Sequence, residues 1–155
     1  MSRFLITMFI KRTSLLAVPK SYSVNTRLQE YQIPIETIHD GSFLSPEVLS
    51  VPLNSFANES FIILRSDNDT GKRALTICQE NNFTPHTIFR LDQQMTAYNI
   101  ACSGMGITFI GDLLLASAPA TSELIFINFP VRTVIEMYHF TGKKDATSAE
   151  LWKNF

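Results

Sequence analysis

Three glycines in an apolar stretch are the first residues whose spacing could support chemistry. Gly104, Gly106 and Gly111 lie in IACSGMGITFIG, residues 100–111. Dinucleotide-binding proteins hold a pyrophosphate with a G-x-G-x-x-G turn that follows a strand and opens a helix. Here the predicted order is helix and then strand, and position 109 is Phe109. The spacing therefore predicts structural turns: Gly104 caps a helix with a positive φ, Gly106 turns the chain into the strand, and Gly111 ends that strand.

A second phosphate motif also fails. Gly71-Lys72 would belong to a P-loop only if a glycine stood in place of Ser66 and a serine or threonine in place of Arg73. The pair is interpreted as the first turn of a helix.

Other catalytic and metal-binding patterns are missing from the sequence. The three histidines, His39, His86 and His139, are scattered, and no G-x-S-x-G sequence occurs. The acidic residues form no evident pair on one helical face. The sequence therefore predicts no catalytic residue, no metal ligand and no cofactor, and the chain is not expected to be an enzyme.

Composition indicates one soluble globular domain. The chain has 155 residues, 45% of them hydrophobic and 17% charged, with a net charge of −1. The sequence contains no stripe of lysine and arginine residues of the kind that binds a nucleic acid. Cys78 and Cys102 lie in apolar helical patterns and are expected to be buried, reduced thiols, as in a cytoplasmic protein. The apolar run 4–10 is too short to span a membrane and is followed, not preceded, by its basic pair, so it is interpreted as a buried strand or the edge of a longer element.

Strands and helices alternate from residue 59 onwards. Such alternation predicts a parallel α/β sheet. Residues 23–58 are less regular, with weak alternation over 33–38 and turns over 45–56. The predicted strands are 13–22 (ending at Pro19), 59–66, 84–91, 106–110, 123–129 and 132–140; the predicted helices are 67–83, 92–103, a short helix or turn at 111–118, and 145–155.

Side chains at the helix ends fit this assignment. Asp69 or Thr70 is expected to cap the helix over 67–83, and Asn81-Asn82 to close it in left-handed geometry. Asp92 is expected to cap the helix over 92–103.

Residues 90–115, RLDQQMTAYNIACSGMGITFIGDLLL, resemble the second regulatory subdomain of LysR-type transcriptional regulators. In that family a helix leads through a V-x-x-G-x-G-[IV] turn into a strand, and here Ile110-Gly111 replaces the usual Leu-Pro after it. Further segments resemble the family in the same order: LLAVPKSYSV, VPLNSFANESFIILRS, ICQENNFTPHTIFRLD, SELIFINFPVRTVIEMYHFTGKK and SAELWKNF.

The resemblance covers residues 13–155 and implies an α/β fold of the periplasmic-binding-protein-like (type 2) class, with a parallel-rich sheet flanked by helices. It implies a ragged remnant of lobe one at 1–12, an effector-binding lobe two at 13–122, and a return crossing with the C-terminal remnant of lobe one at 123–155. The family's winged helix-turn-helix has no counterpart in the segments matched, so DNA is expected to be bound only through a part absent from this chain.

The resemblance also implies where an effector would bind, because the family's ligands contact helix N-termini and strand ends. Polar residues at helix starts can also be simple caps, and both roles remain open. The Asp92 carboxylate would repel a carboxylate effector. The effector-binding residues that the resemblance implies are Ser66, Asp67, Asn68, Thr70, Leu91, Asp92 and Gln93.

Three functions remain open. The first is a truncated LysR-type effector-binding domain that senses a small-molecule metabolite and forms a homo-oligomer through the regulatory domain. The second is a lobe of a solute-binding protein, against which the cysteines and the missing signal peptide count. The third is an interaction module that pairs with a full-length regulator.

Overall fold

The computed structural model describes residues 3–12, 14–44, 48–65, 67, 69–119, 121–129 and 134–143. The helix predicted over 145–155 lies outside these residues. The chain divides into two compact units, which are described separately. Unit 1 comprises Met1–Arg12 and Thr133–Phe155, and unit 2 comprises Thr13–Arg132.

Unit 1 contains a two-stranded antiparallel ribbon. Strand β1 (Arg3–Arg12) pairs with β8 (Val134–Lys143) in an unbroken register that runs from Arg3 opposite Lys143 to Arg12 opposite Val134. The segment of β8 was predicted as a strand, and that of β1 as a buried strand or the edge of a longer element. Leu5 is 62% exposed, so β1 is not buried along its whole length.

Unit 2 is built on a six-stranded mixed sheet with the order β3-β7-β2-β6-β4-β5. Strand β4 pairs in parallel with β5 and with β6, as the alternation of strands and helices predicted. The pairs β2–β6, β2–β7 and β3–β7 are antiparallel, so the parallel part is one half of the sheet. Its strands are β2 (Ser14–Pro19), β3 (Gln32–Ile33), β4 (Ser60–Leu64), β5 (His86–Leu91), β6 (Ile107–Gly111) and β7 (Leu124–Ile127).

In the part of unit 2 that the structure describes, five α-helices lie between these strands. Of the weakly alternating residues 33–38, Ile33 ends β3, and Pro34 then takes the N-cap position of a short helix. Asn82 has a φ of 60°, so the left-handed end predicted for α3 is confirmed. The helices are α1 (Val24–Arg27), α2 (Ile35–His39), α3 (Asp69–Glu80), α4 (Gln94–Cys102) and α5 (Asp112–Ser117), with 3-10 turns at Gln29–Tyr31, Ser42–Leu44 and Leu53–Phe56.

Alternate side chains of each strand enter two different cores. Along β4, Phe61 and Ile63 pack with Cys78 of α3, whereas Ile62 and Leu64 pack with Ala97 of α4. This is the two-residue period of a strand that is buried on both faces. Helices α3 and α4 therefore cover opposite faces of the parallel half of the sheet.

The glycines between α4 and β6 have different local roles. Gly104 has a φ of +88° and directly follows Ser103, the C-cap of α4. Gly106 has no positive φ; instead, a methyl group there would lie 2.9 Å from Cγ1 of Ile62. Gly111 ends β6 and is the N-cap residue of α5. Position 106 therefore requires a glycine because a side chain would collide with β4. The sequence had predicted only that Gly106 turns the chain into the strand.

Candidate functional site

The carboxyl ends of β4, β5 and β6 lie at one edge of the unit 2 sheet because these strands are parallel. Helices α3, α4 and α5 begin shortly after the three strands end. The first N–H groups of a helix lack partners within the helix and carry a partial positive charge. This edge is therefore the part of unit 2 best suited to bind a polar ligand.

Strands β4 and β6 pair over only two positions. Phe61 lies opposite Ile107 and Ile62 opposite Thr108, and the pairing does not continue to the carboxyl ends. Strands β4 and β6 separate where the two crossing helices leave the sheet. Helix α3 follows β4 on one face, and α4 follows β5 on the other. Open α/β sheets bind ligands in the crevice formed at such a reversal of strand order.

A small cleft lies at this separation, between the sheet and the beginning of α3. Its volume is about 10 Å³, the space of about one water molecule. Thr108 is 2% exposed, and its hydroxyl donates a long hydrogen bond of 3.4 Å to the carbonyl oxygen of Phe109. The cleft is lined by Ile62, Ile63, Leu64, Thr70, Ala74, Thr108 and Phe109.

The first turn of α3 is held against the end of β4 by Gly71. A methyl group at this position would overlap the backbone carbonyl oxygens of Leu64 and Arg65. Gly71 was interpreted as an ordinary residue of a helix first turn; the structure adds that its lack of a side chain permits the close approach of helix and strand.

Arg65 connects the ends of β4 and β5 and was not identified from the sequence. Its backbone N–H donates to the Leu91 carbonyl at 2.9 Å, and its Nε lies 3.1 Å from Oδ1 of Asp92. The two side chains are 59% and 71% exposed. A charged residue directly after an apolar strand was the available signal for Arg65, but its partner is remote in sequence.

The cap assignment for α4 was wrong by one residue. The N-cap position belongs to Gln93, with extended φ and ψ of −125° and 134° and no side-chain cap hydrogen bond, while Asp92 precedes it beside Arg65. The next residue, Gln94, accepts a hydrogen bond from the Gly111 N–H at 3.3 Å through Oε1. Gln94 thereby ties the start of α4 to the end of β6.

The predicted site residues fall into two places along this edge. Thr70 is half-buried and lines the cleft, whereas half-buried Leu91 and exposed Asp92 lie beside Arg65. Asp67 and Gln93 are exposed. Ser66 and Asn68 lie outside the residues that the structure describes.

The histidine and cysteine residues that the structure describes do not form a cluster at this edge. Within the described ranges, no group of three histidine, cysteine or acidic side chains is placed to hold a metal ion. Nε2 of His39 lies 3.3 Å from the Leu115 carbonyl oxygen. Cys78 is buried and free as predicted, and burial raises the pKa of its thiol to about 11, which disfavours the reactive thiolate. Cys102 is free but only half-buried, with Sγ 3.9 Å from Thr121 Oγ1.

None of the helices that the structure describes has the length and apolar character needed to cross a membrane.

Sequence comparison identifies a known domain family. The model of the LysR substrate binding domain matches residues 43–155, which is well over half of the chain. The uncharacterized HTH-type transcriptional regulator YcgK of Bacillus subtilis (strain 168) is 25% identical over 89 residues, covering 57% of this chain and 28% of that protein. The chain thus aligns with less than a third of this regulator's length.

Solved structures show the same fold at low sequence identity. The BenM effector binding domain with its effector benzoate has a TM-score of 0.59 and 13% identity, over 96% of this chain and 60% of that one. The CcmR regulatory domain of Synechocystis PCC6803 in complex with 2-PG has a TM-score of 0.62 and 12% identity, over 97% and 63%. The QuiR effector binding domain in complex with shikimate has a TM-score of 0.56 and 17% identity, over 96% and 62%.

These structures confirm the predicted fold class, a mixed α/β sheet with flanking helices of the periplasmic-binding-protein-like type. The family match confirms the resemblance drawn from the glycine-containing turn and its neighbouring segments. The chain belongs to the LysR substrate-binding domain family.

Proposed function

We propose that this chain is the effector-binding domain of a LysR-type transcriptional regulator, which binds a small-molecule metabolite at the carboxyl edge of β4, β5 and β6. The observation that carries the proposal is the separation of β4 from β6 after Ile62 and Thr108, which opens the sheet where α3 and α4 begin. Solved relatives of the same fold are described with the effectors benzoate and shikimate.

The loops after β4 and β5 supply the effector-binding residues in this proposal. Thr70 lines the cleft, and Asp67, Asp92 and Gln93 are exposed polar residues on the loops of the same edge. Leu91 adds an apolar wall, and Ser66 and Asn68 are retained from the sequence. The cleft itself has room for about one water molecule, so in this proposal the effector binds across the exposed edge, with the cleft at one end.

The wider regulatory role is part of the same proposal. In this proposal the protein acts in the cytoplasm, needs no cofactor and does not bind a membrane. DNA is bound only through a helix-turn-helix outside the described fold. A homo-oligomer forms through the regulatory domain. In support, β5 is the last strand on its side of the unit 2 sheet, and Ile88 on it is 37% exposed.

The proposal is tested by thermal unfolding of the 155-residue chain against a metabolite library that includes benzoate and shikimate. A true effector raises the unfolding midpoint in proportion to the logarithm of its concentration. Thr70→Val should weaken binding of that ligand by about tenfold, because it removes the hydroxyl of a proposed effector-binding residue.

Thr76→Val is the matched control, since Thr76 lies on the same helix but is exposed and bonds to the Lys72 carbonyl at 2.9 Å. Equal binding by both variants would place the effector elsewhere. A library in which no compound shifts the midpoint would count against effector binding by this chain.

A further inference from the structure

The carboxyl edge of the parallel strands carries exposed charged residues. Among the described residues that directly follow β4 and β5, Arg65 is basic, Asp67 and Asp92 are acidic, and all three are exposed. Helix N-termini attract anions, but an effector with negative charge alone would also meet these carboxylates. With exposed Lys72 in the first turn of α3, this edge presents both signs of charge, which suits an effector that carries a positive group as well as a negative one.

The Arg65–Asp92 ion pair shows where opposite charges of a ligand could bind. Nε of Arg65 and Oδ1 of Asp92 are 3.1 Å apart, and each side chain is more than half exposed. The backbone bond from Arg65 to Leu91 holds the two strand ends together. A ligand can therefore approach a positive and a negative group that lie next to each other on two neighbouring strand ends.

We propose that the effector is a zwitterion of the α-amino acid class, whose carboxylate binds Arg65 and whose ammonium group binds Asp92. This inference rests on the proposed effector-binding function. An α-amino acid carries its two charges on neighbouring groups, so it can lie antiparallel to the ion pair and give every charge an opposite partner. A plain carboxylate would leave Asp92 facing an anion, and a plain amine would leave Arg65 facing a cation.

The ion pair itself does not oppose this rearrangement. Exposed arginine–carboxylate pairs contribute little to stability, because water competes for both groups. Sharing Arg65 and Asp92 with a ligand therefore costs little, while each new contact is a charge-assisted hydrogen bond.

The test uses the full chain and the proteinogenic L-amino acids as probes, measured by thermal unfolding and then by calorimetry. For an amino acid that binds, the matching amine without the carboxylate and the matching acid without the amino group are compared. Each should bind at least about tenfold more weakly, since each lacks one charged contact.

Variants test the two residues separately. Arg65→Gln and Asp92→Asn should each lower amino acid affinity about tenfold, and Asp92→Asn should also improve binding of the acid that lacks the amino group. Arg90→Gln is the control, because Arg90 is an exposed arginine on β5 outside the ion pair. An effect of Arg65→Gln no larger than that of Arg90→Gln would overturn the assignment.

The outcomes separate this inference from the proposed function. If benzoate, shikimate or another plain carboxylate shifts the unfolding midpoint and no amino acid does, the zwitterion assignment is wrong and effector binding stands. The same holds if an amine alone binds as tightly as its amino acid. If no compound of any class shifts the midpoint, both proposals are wrong.

Discussion

Gly106 lies directly against Ile62 of the neighbouring strand. A methyl group on Gly106 would lie 2.9 Å from Cγ1 of Ile62, and 3.3 Å from Cδ1 of both Ile62 and Ile88. Because Ile62 is buried between β5 and β6, its side chain cannot move aside without disturbing the core around α4. This contact sets how closely the beginning of β6 approaches β4.

Gly106→Ala should therefore lower the free energy of unfolding by about 1–3 kcal/mol, through overpacking. Urea denaturation checks this loss. Ile62→Ala should cost less in the Gly106→Ala background than in the native chain, because it removes the colliding atoms. Additive effects of the two substitutions would contradict the contact. Gly111→Ala is the control, because Gly111 has a φ of −77° and a methyl group there would meet only Gln94 Oε1, at 3.5 Å.

Gly71→Ala should displace the first turn of α3 from the end of β4. The new methyl group meets backbone carbonyl oxygens of Leu64 and Arg65, which cannot rotate away like a side chain. We expect a loss of about 1–3 kcal/mol and faster amide hydrogen exchange in the first turn of α3. Lys72→Ala, at the next and exposed position, should change stability by less than about 0.5 kcal/mol. Similar exchange in both variants would show that the close approach is not required.

Cys78 should make stability fall at high pH. Burial raises the pKa of its thiol from 9.0 to about 11, so the folded state favours the neutral form. The stabilisation is complete below the ordinary pKa of 9.0 and is lost as pH rises towards about 11. Denaturant titrations over this range should show a steeper decline for the native chain than for Cys78→Ala. Tyr22 and Tyr98, whose pKa values burial also raises, are common to both proteins and cancel. Parallel pH profiles would contradict the assignment.

Asn25→Asp should be markedly more destabilising than Asn25→Ala. Nδ2 of Asn25 donates to the carbonyl oxygens of Pro19 at 2.8 Å and Lys20 at 3.3 Å, and the residue is 7% exposed. The aspartate puts a buried carboxylate oxygen against these acceptors, for an expected loss of about 2–4 kcal/mol at neutral pH. The alanine variant removes the donor without adding a charge, and we expect a loss of about 1 kcal/mol. Chemical denaturation of both variants decides the order, and equal losses would contradict it.

Much of the parallel half of the fold could be predicted because its signals are local. The apolar run Phe61–Leu64 marks a strand, and Asn82 and Gly104 supply the positive φ angles that end α3 and α4. Helix α2 was missed because it has only five residues, too few for a helical period to stand out after Pro34. Between β4 and β5 the register shifts, from Phe61 opposite Thr87 to Ile62 opposite Phe89, and no local pattern in the sequence gives this shift.

The candidate site was less accessible to sequence reasoning. The resemblance directed attention to the loops after β4 and β5, and the helix starts in them were clear. Arg65 and Asp92 meet only because two parallel strands end side by side, and no local pattern expresses that pairing. The close approach at Gly71 is likewise a tertiary contact, since nothing in the sequence gives the distance from α3 to β4.

Unit 2 lies between the two chain segments of unit 1, and this chain order affects the order of folding. Pairing Arg12 with Val134 from an unfolded chain closes a loop of roughly 120 residues. Once unit 2 has folded, Leu16 is already paired with Ile127, and the remaining loop is roughly a tenth as long. The entropic cost of forming the ribbon then falls by about 2 kcal/mol. Folding of unit 2 thus favours ribbon formation as the later step, and mutations that slow unit 2 delay the ribbon as well.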